Sequence, residues 1–159
     1  MNNLNMQIKS PAFKNEGEIP SRFTCDGEGV NPALIFKNAP KETKSLTLTV
    51  DDPDIPESVK KSYNIEVWDH WIIWNISPNT KEIQENSIPE GAVVGEGTRG
   101  VNAYTPPCPP DREHRYFFKL YALDAVLALD ENSSKKKVLN AMQGHILAEA
   151  ELMGKYKRK

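Results

Sequence analysis

The sequence is poor in cysteine, in net charge and in long apolar runs, and each shortage excludes something. Cys25 and Cys108 are the only two cysteines in 159 residues. Their spacing is neither a metal motif nor a disulfide framework, and in a reducing compartment both are expected as free thiols. Net charge is −2, from 20 basic and 22 acidic residues. That balance gives no general attraction to nucleic acid or to an anionic membrane, so neither is an expected partner. The local clusters Lys135-Lys136-Lys137 and Lys155-Tyr156-Lys157-Arg158-Lys159 read as a solvated helix start and a frayed tail. No apolar run approaches the roughly 18 residues of a spanning helix, which argues against integral membrane association. The first residues carry no signal-peptide core, so the expected location is cytoplasmic. No internal repeat or low-complexity linker divides the chain, and residues 1–159 read as a single domain. Proline is absent after Pro110, although 12 prolines precede that point, four of them in Pro106-Pro107-Cys108-Pro109-Pro110.

What is present is mostly strand. Leu46-Thr47-Leu48-Thr49-Val50 alternates and predicts a half-buried strand, ending at the stiff loop Asp51-Asp52-Pro53-Asp54-Ile55-Pro56. Trp71 to Ile76 is nearly continuous in apolar residues and predicts a central strand covered on both faces. Arg115 to Leu123 predicts another, and shorter strands are expected near Met6–Lys9, Ala33–Phe36 and Ala92–Val94. After residue 130 the period changes. Ser133 or Ser134 can cap a helix whose apolar face is Val138, Met142, Ile146 and Ala150. Gly144 interrupts that face, so one long helix or two short ones are both open. The three lysines at its start oppose the helix dipole. A β-rich body followed by helices is not a βαβ alternation, which disfavours doubly wound and barrel α/β folds.

Polar groups gather among prolines and aromatics in three places: Asp52-Pro53-Asp54-Ile55-Pro56, Trp68-Asp69-His70-Trp71, and the stretch from Gly100 through Tyr104 and the proline run to His114-Arg115-Tyr116. Donors and acceptors on strand ends, walled by proline and aromatic carbon, make a small rigid site. Each feature also has a plain structural reading as a turn, a satisfied histidine or a polyproline stretch.

In this order the motifs resemble those of the phosphatidylethanolamine-binding proteins, also called Raf-kinase-inhibitor-like proteins, in their bacterial and archaeal branch. The likeness spans nearly the whole chain. It runs through Ile19-Pro20, Cys25-Asp26-Gly27, Asn31-Pro32, Asp52-Pro53-Asp54-x-Pro56, His70-Trp71 with Asn75-Ile76, Pro107-Cys108-Pro109-Pro110, His114-Arg115-Tyr116-Phe117 and Gly144-His145-Ile146. The resemblance implies a mainly β fold, a large antiparallel sheet packed on a smaller sheet, with C-terminal helices. It implies a ligand-binding pocket built from Asp52, Asp54, His70, His114 and Tyr116, walled by Pro107 and Cys108, with Trp68 and Tyr104 against a head group. It also implies cis bonds before Pro53 or Pro56. Two departures stand out. Thr105-Pro106 replaces the usual pair of glycines, which removes a backbone N–H at 106. The stretch Glu57–Asp69 resembles an insertion.

The ligand this implies is a small anion, phosphate or phosphoethanolamine-like, with histidines as donors and a carboxylate orienting one of them. No cofactor is implied. The alternatives are a protein inhibitor of a serine protease or signalling kinase acting through a surface loop, a hydrolase and a metal site. A hydrolase lacks a Gly-x-Ser-x-Gly or phosphate-cradling loop here and would fall back on Cys108. A metal site would draw on two His and two Asp. The chain could be a monomer, or a homodimer packed through Tyr63 or Trp68.

Overall fold

The computed structural model describes residues 5–159. Nine strands and two helices form in the order β1 (Gln7–Lys9), β2 (Gly17–Glu18), β3 (Leu34–Lys37), β4 (Ser45–Asp52), α1 (Glu57–Tyr63), β5 (Trp68–Ile76), β6 (Glu82–Ile83), β7 (Val93–Val94), β8 (His114–Leu123), α2 (Lys135–Met142) and β9 (Ile146–Tyr156). One sheet has three strands in the order β1-β3-β6, and the other has six in the order β2-β9-β8-β4-β5-β7. All pairings are antiparallel except β2 with β9. This is the expected mainly β architecture of a large sheet packed on a small one.

The core lies between the sheets. Ile8, Leu34, Phe36 and Ile83 from the small sheet meet Leu46, Leu48, Val50, Trp71, Ile73, Phe118 and Leu120 from the large one. The outer face of the large sheet is covered as well, since Ile72, Trp74 and Leu123 pack against Leu127 and against Val138 and Met142 of α2. That second layer corrects the expectation for β4. Every residue of β4 is buried, threonines included, because a central strand covered on both sides has no solvent face.

Two irregularities in the pairing of β4 with β5 aim side chains. Leu46 faces Ile76 and Leu48 faces Ile73, so β5 carries one extra residue there. Asn75 takes a left-handed φ of 54° at this bulge. Its amide exchanges two hydrogen bonds with the backbone of Leu127, each 2.8 Å. At the other end Val50 faces Trp71 and Asp51 faces Asp69, which leaves His70 as the unopposed residue.

The C-terminal region differs from the periodicity reading. Ser134 caps α2, its hydroxyl accepting from Lys137 N–H at 3.2 Å. The helix ends at Met142, however, and Gly144 reverses the chain at φ +82°. Ile146 to Tyr156 is the longest strand, paired with β8 along its length. Helix-favouring Ala, Glu, Leu and Met yield here to sheet pairing, because β8 offers an unfilled ladder and an apolar inner face. The unfavourable lysine at the start of α2 has a partner: the Lys135 ammonium reaches Asp69, with Asp51 at 3.7 Å.

Two further expectations are overturned. Among the described residues no peptide bond is cis, so the bonds before Pro53 and Pro56 are trans. The cysteines are not free. Cys25 and Cys108 form a disulfide, with their α-carbons 5.3 Å apart. The segment after the 3₁₀ turn Ser21–Phe23 runs beside the proline run, where Cys25 N–H donates to the Pro107 carbonyl at 3.0 Å. A reducing compartment predicts free thiols, whereas the pairing follows from the proximity of these two segments. Among the described residues no helix is long and apolar enough to cross a membrane.

Candidate functional site

A cavity of about 250 Å³ opens at the end of the large sheet where β4 and β5 meet the start of β8. Strand period explains its inner wall. Side chains two apart share a face, so His114 and Tyr116 on β8 both turn inward and are fully buried. Asp52 ends the inward row of β4, and unopposed His70 packs edge-on against Tyr116, with ring centroids 5.3 Å apart. The proline run forms the opposite wall through Pro106, Cys108, Pro109 and Pro110. Ile55, Pro56, Val59 and Trp68 form the apolar side, and Arg99 stands at the rim.

His114 is held between two carboxylates. Its Nδ1 lies 2.7 Å from Asp52 Oδ2 and its Nε2 lies 2.7 Å from Asp111 Oδ1. Burial pushes Asp52 above the usual carboxylate range, against the pull of its hydrogen bond to His114. Asp111 is more exposed, and the same histidine holds it below that range. His70 is clamped by Thr105. The ring Nδ1 lies 2.8 Å from the Thr105 carbonyl, while Thr105 N–H and its hydroxyl both donate to the His70 carbonyl. A carbonyl can only accept, so Nδ1 carries the proton. Burial lowers the His70 pKa to about 4, and the ring is neutral at physiological pH. Its Nε2 therefore presents a lone pair. Burial, followed by the nearby Asp52 charge, keeps the Tyr116 phenol protonated. Its hydroxyl is buried with no hydrogen-bond partner among the described residues.

The structure thus brings Asp52, His70, His114, Tyr116, Cys108 and Trp68 around one cavity. It places three other expected residues elsewhere. Asp54 faces away to Arg115, which donates through Nε and Nη2 at 2.8 Å each and through its backbone N–H at 2.9 Å. That pairing holds the Asp54 pKa at about 2. Pro107 turns its carbonyl to Cys25 and does not line the cavity. Tyr104 is half-buried beside Trp71, its hydroxyl donating to the Phe23 carbonyl at 2.8 Å. Residues not foreseen are Arg99, Thr105 and Asp111. The Thr105-Pro106 departure is part of the site: Thr105 fixes the His70 ring, and Pro106 both lines the cavity and packs on Gly29. Of the four residues that suggested a metal site, Asp54 pairs with Arg115 away from the cavity, while His70 Nδ1 meets a carbonyl and both His114 nitrogens meet carboxylates. The disulfide removes the thiol a hydrolase would have used. Tyr63 on α1 is 56% exposed and stands edge-on to Trp68 at 5.1 Å, so the insertion-like stretch borders the cavity mouth.

Fold and cavity together define a class: a two-sheet β protein with a ligand-sized pocket at one end of its large sheet. The family model for phosphatidylethanolamine-binding protein matches residues 9–157, and the chain belongs to that family. A UPF0098 protein of Methanothermobacter thermautotrophicus is 48% identical over 158 residues, covering 96% of this chain and 99% of the relative. A Chlamydia trachomatis crystal structure, described as a homologue of phosphatidylethanolamine-binding protein, superimposes with a TM-score of 0.93 at 46% identity. It covers 99% of this chain and all of its own. Escherichia coli YbcL, described as a member of the mammalian family, gives 0.86 at 28% identity and covers 98% of this chain and all of its own.

Proposed function

We propose that this protein binds small oxyanion-headed ligands, inorganic phosphate or a phosphoethanolamine-like head group, in the cavity and without turning them over. The observation that carries the reading is Tyr116, which lines the cavity and whose buried hydroxyl has no hydrogen-bond partner among the described residues. A buried polar group left unpaired costs about 1–3 kcal/mol, which a ligand oxygen would recover. Arg99, exposed at the rim, supplies the long-range attraction an anion needs. The Asp111 carboxylate on His114 Nε2 marks a position where an oxyanion is accommodated, since it is itself one. Apolar walls of proline and Trp68 suit the carbon portion of a head group.

The test is a titration with phosphoethanolamine and with inorganic phosphate, followed through the imidazole NMR signals. Shifts in the His70 and His114 resonances that saturate by millimolar ligand are expected. If neither ring responds, the reading fails.

A further inference from the structure

We infer that the pocket reads the proton on its ligand: it takes oxyacids that still carry an O–H and discriminates against proton-free oxyanions of the same shape and charge. This deepens the function proposed above and rests on it. Selectivity of this kind follows from the hydrogen-bonding state of residues that line the cavity. His70 has one ring nitrogen committed to the Thr105 carbonyl at 2.8 Å, which fixes the tautomer and leaves Nε2 as an acceptor without a partner among the described residues. Thr105 holds that ring from both sides, because its own N–H donates back to the His70 carbonyl at 2.9 Å. Tyr116, in edge contact with His70, has an unpartnered hydroxyl that can donate. The two residues that carry this acceptor and this hydroxyl both line the cavity.

Asp52 is the carboxylate that lines the cavity, and both of its oxygens are already engaged. Its Oδ2 lies 2.7 Å from His114 Nδ1, and its Oδ1 accepts from Asp54 N–H at 2.7 Å. A hydrogen phosphate or a phosphomonoester monoanion fits this arrangement. Its P–OH donates to His70 Nε2 while another oxygen accepts from Tyr116. A sulfonate or sulfate offers only acceptors, and would set a lone pair against the His70 lone pair. The low His70 pKa agrees with the geometry, since the ring stays neutral wherever such ligands are offered.

The test uses methylphosphonate and methanesulfonate. At about pH 5, a unit below a second phosphoryl ionisation near 6, the two are monoanions of one shape that differ by a single O–H. Titration calorimetry is expected to give methylphosphonate at least about tenfold tighter binding, the scale set by leaving a buried acceptor unpaired. His70→Phe is expected to abolish the difference. Because that variant exposes the Thr105 carbonyl to a lost partner, ¹⁵N chemical shifts of His70 in the unaltered protein give a second readout. Nε2 should show an unprotonated shift that moves on adding methylphosphonate and stays fixed on adding methanesulfonate. Equal affinity for the two ligands overturns the inference and leaves anion binding standing. Failure of both to bind at millimolar concentration overturns the inference together with the function on which it rests.

Discussion

Reducing the disulfide should cost this protein a large part of its stability, and the size can be worked out. The bond joins residues 83 apart in sequence. Restricting an unfolded loop of that length stabilises the fold by about 4.5 kcal/mol on the chain-entropy relation. At about 2.1 cal/mol/K per residue for a chain of this size, that corresponds to a melting temperature lower by roughly 10–15 °C. The perturbation is the double variant Cys25→Ser, Cys108→Ser, which avoids reductant and leaves one hydroxyl beside each backbone. The Cys25 N–H to Pro107 carbonyl bond should survive, so the loss reads the covalent link and not the local backbone. The assay is thermal and urea unfolding of the variant beside the parent protein. A shift below about 3 °C would refute the entropic account. Alkylation of both cysteines in the native parent without reductant would refute the bond itself. Binding should weaken as well, because Cys108 belongs to the cavity wall that the bond holds in place.

Other outcomes follow from groups already described. His70 has a folded pKa of about 4, below its unfolded value near 6.5. Its contribution to stability is therefore complete above the unfolded value and is lost as pH falls from about 6.5 to 4, by on the order of 3 kcal/mol. Urea midpoints at pH values across that window should show the fall, and the imidazole itself should titrate near 4 in NMR. Tyr116→Phe removes a hydroxyl with no hydrogen-bond partner among the described residues, so its urea midpoint should hold or rise slightly while phosphate affinity drops about tenfold. A matched loss of stability would mean that the hydroxyl has a partner. Gly154→Ala would set a methyl 2.5 Å from Ile19 Cγ1 and 2.8 Å from Phe13 Cε2. Overpacking of this kind costs about 1–3 kcal/mol, read as a lowered urea midpoint at unchanged m-value.

The parts of the fold that were legible in the sequence are those where local pattern and tertiary demand agree. β4 was marked by its alternation and β5 and β8 by nearly continuous apolar and aromatic runs, and His114 with Tyr116 by a spacing of two on a strand. β9 was not, because its Ala, Glu, Leu and Met residues favour a helix in isolation and only pairing with β8 settles them as strand. Its period of two was present, with Ala148, Ala150 and Leu152 in one row, but the four-residue spacing carried over from Val138 and Met142 masked it. The disulfide was illegible for a different reason: it depends on where two loops lie, and composition speaks only of compartment. Arg99 and Asp111 join the site through loop paths, with no periodicity to announce them. Asp54 shares a motif with Asp52 yet serves Arg115, because two residues along a turn point in different directions.

The same disulfide divides the chain mechanically. Residues between Cys25 and Cys108 form a closed covalent ring that contains β3 to β7, while β1, β2, β8, α2 and β9 lie outside it. A force applied to the two ends can extend only the outer segments. The ring withholds roughly 270–300 Å of contour, the span of 83 extended residues at about 3.3–3.6 Å each. The cavity straddles that boundary. Asp52 and His70 sit within the ring, and His114 and Tyr116 begin six residues beyond it, so tension that peels β8 away opens the pocket before any residue inside the ring is stretched.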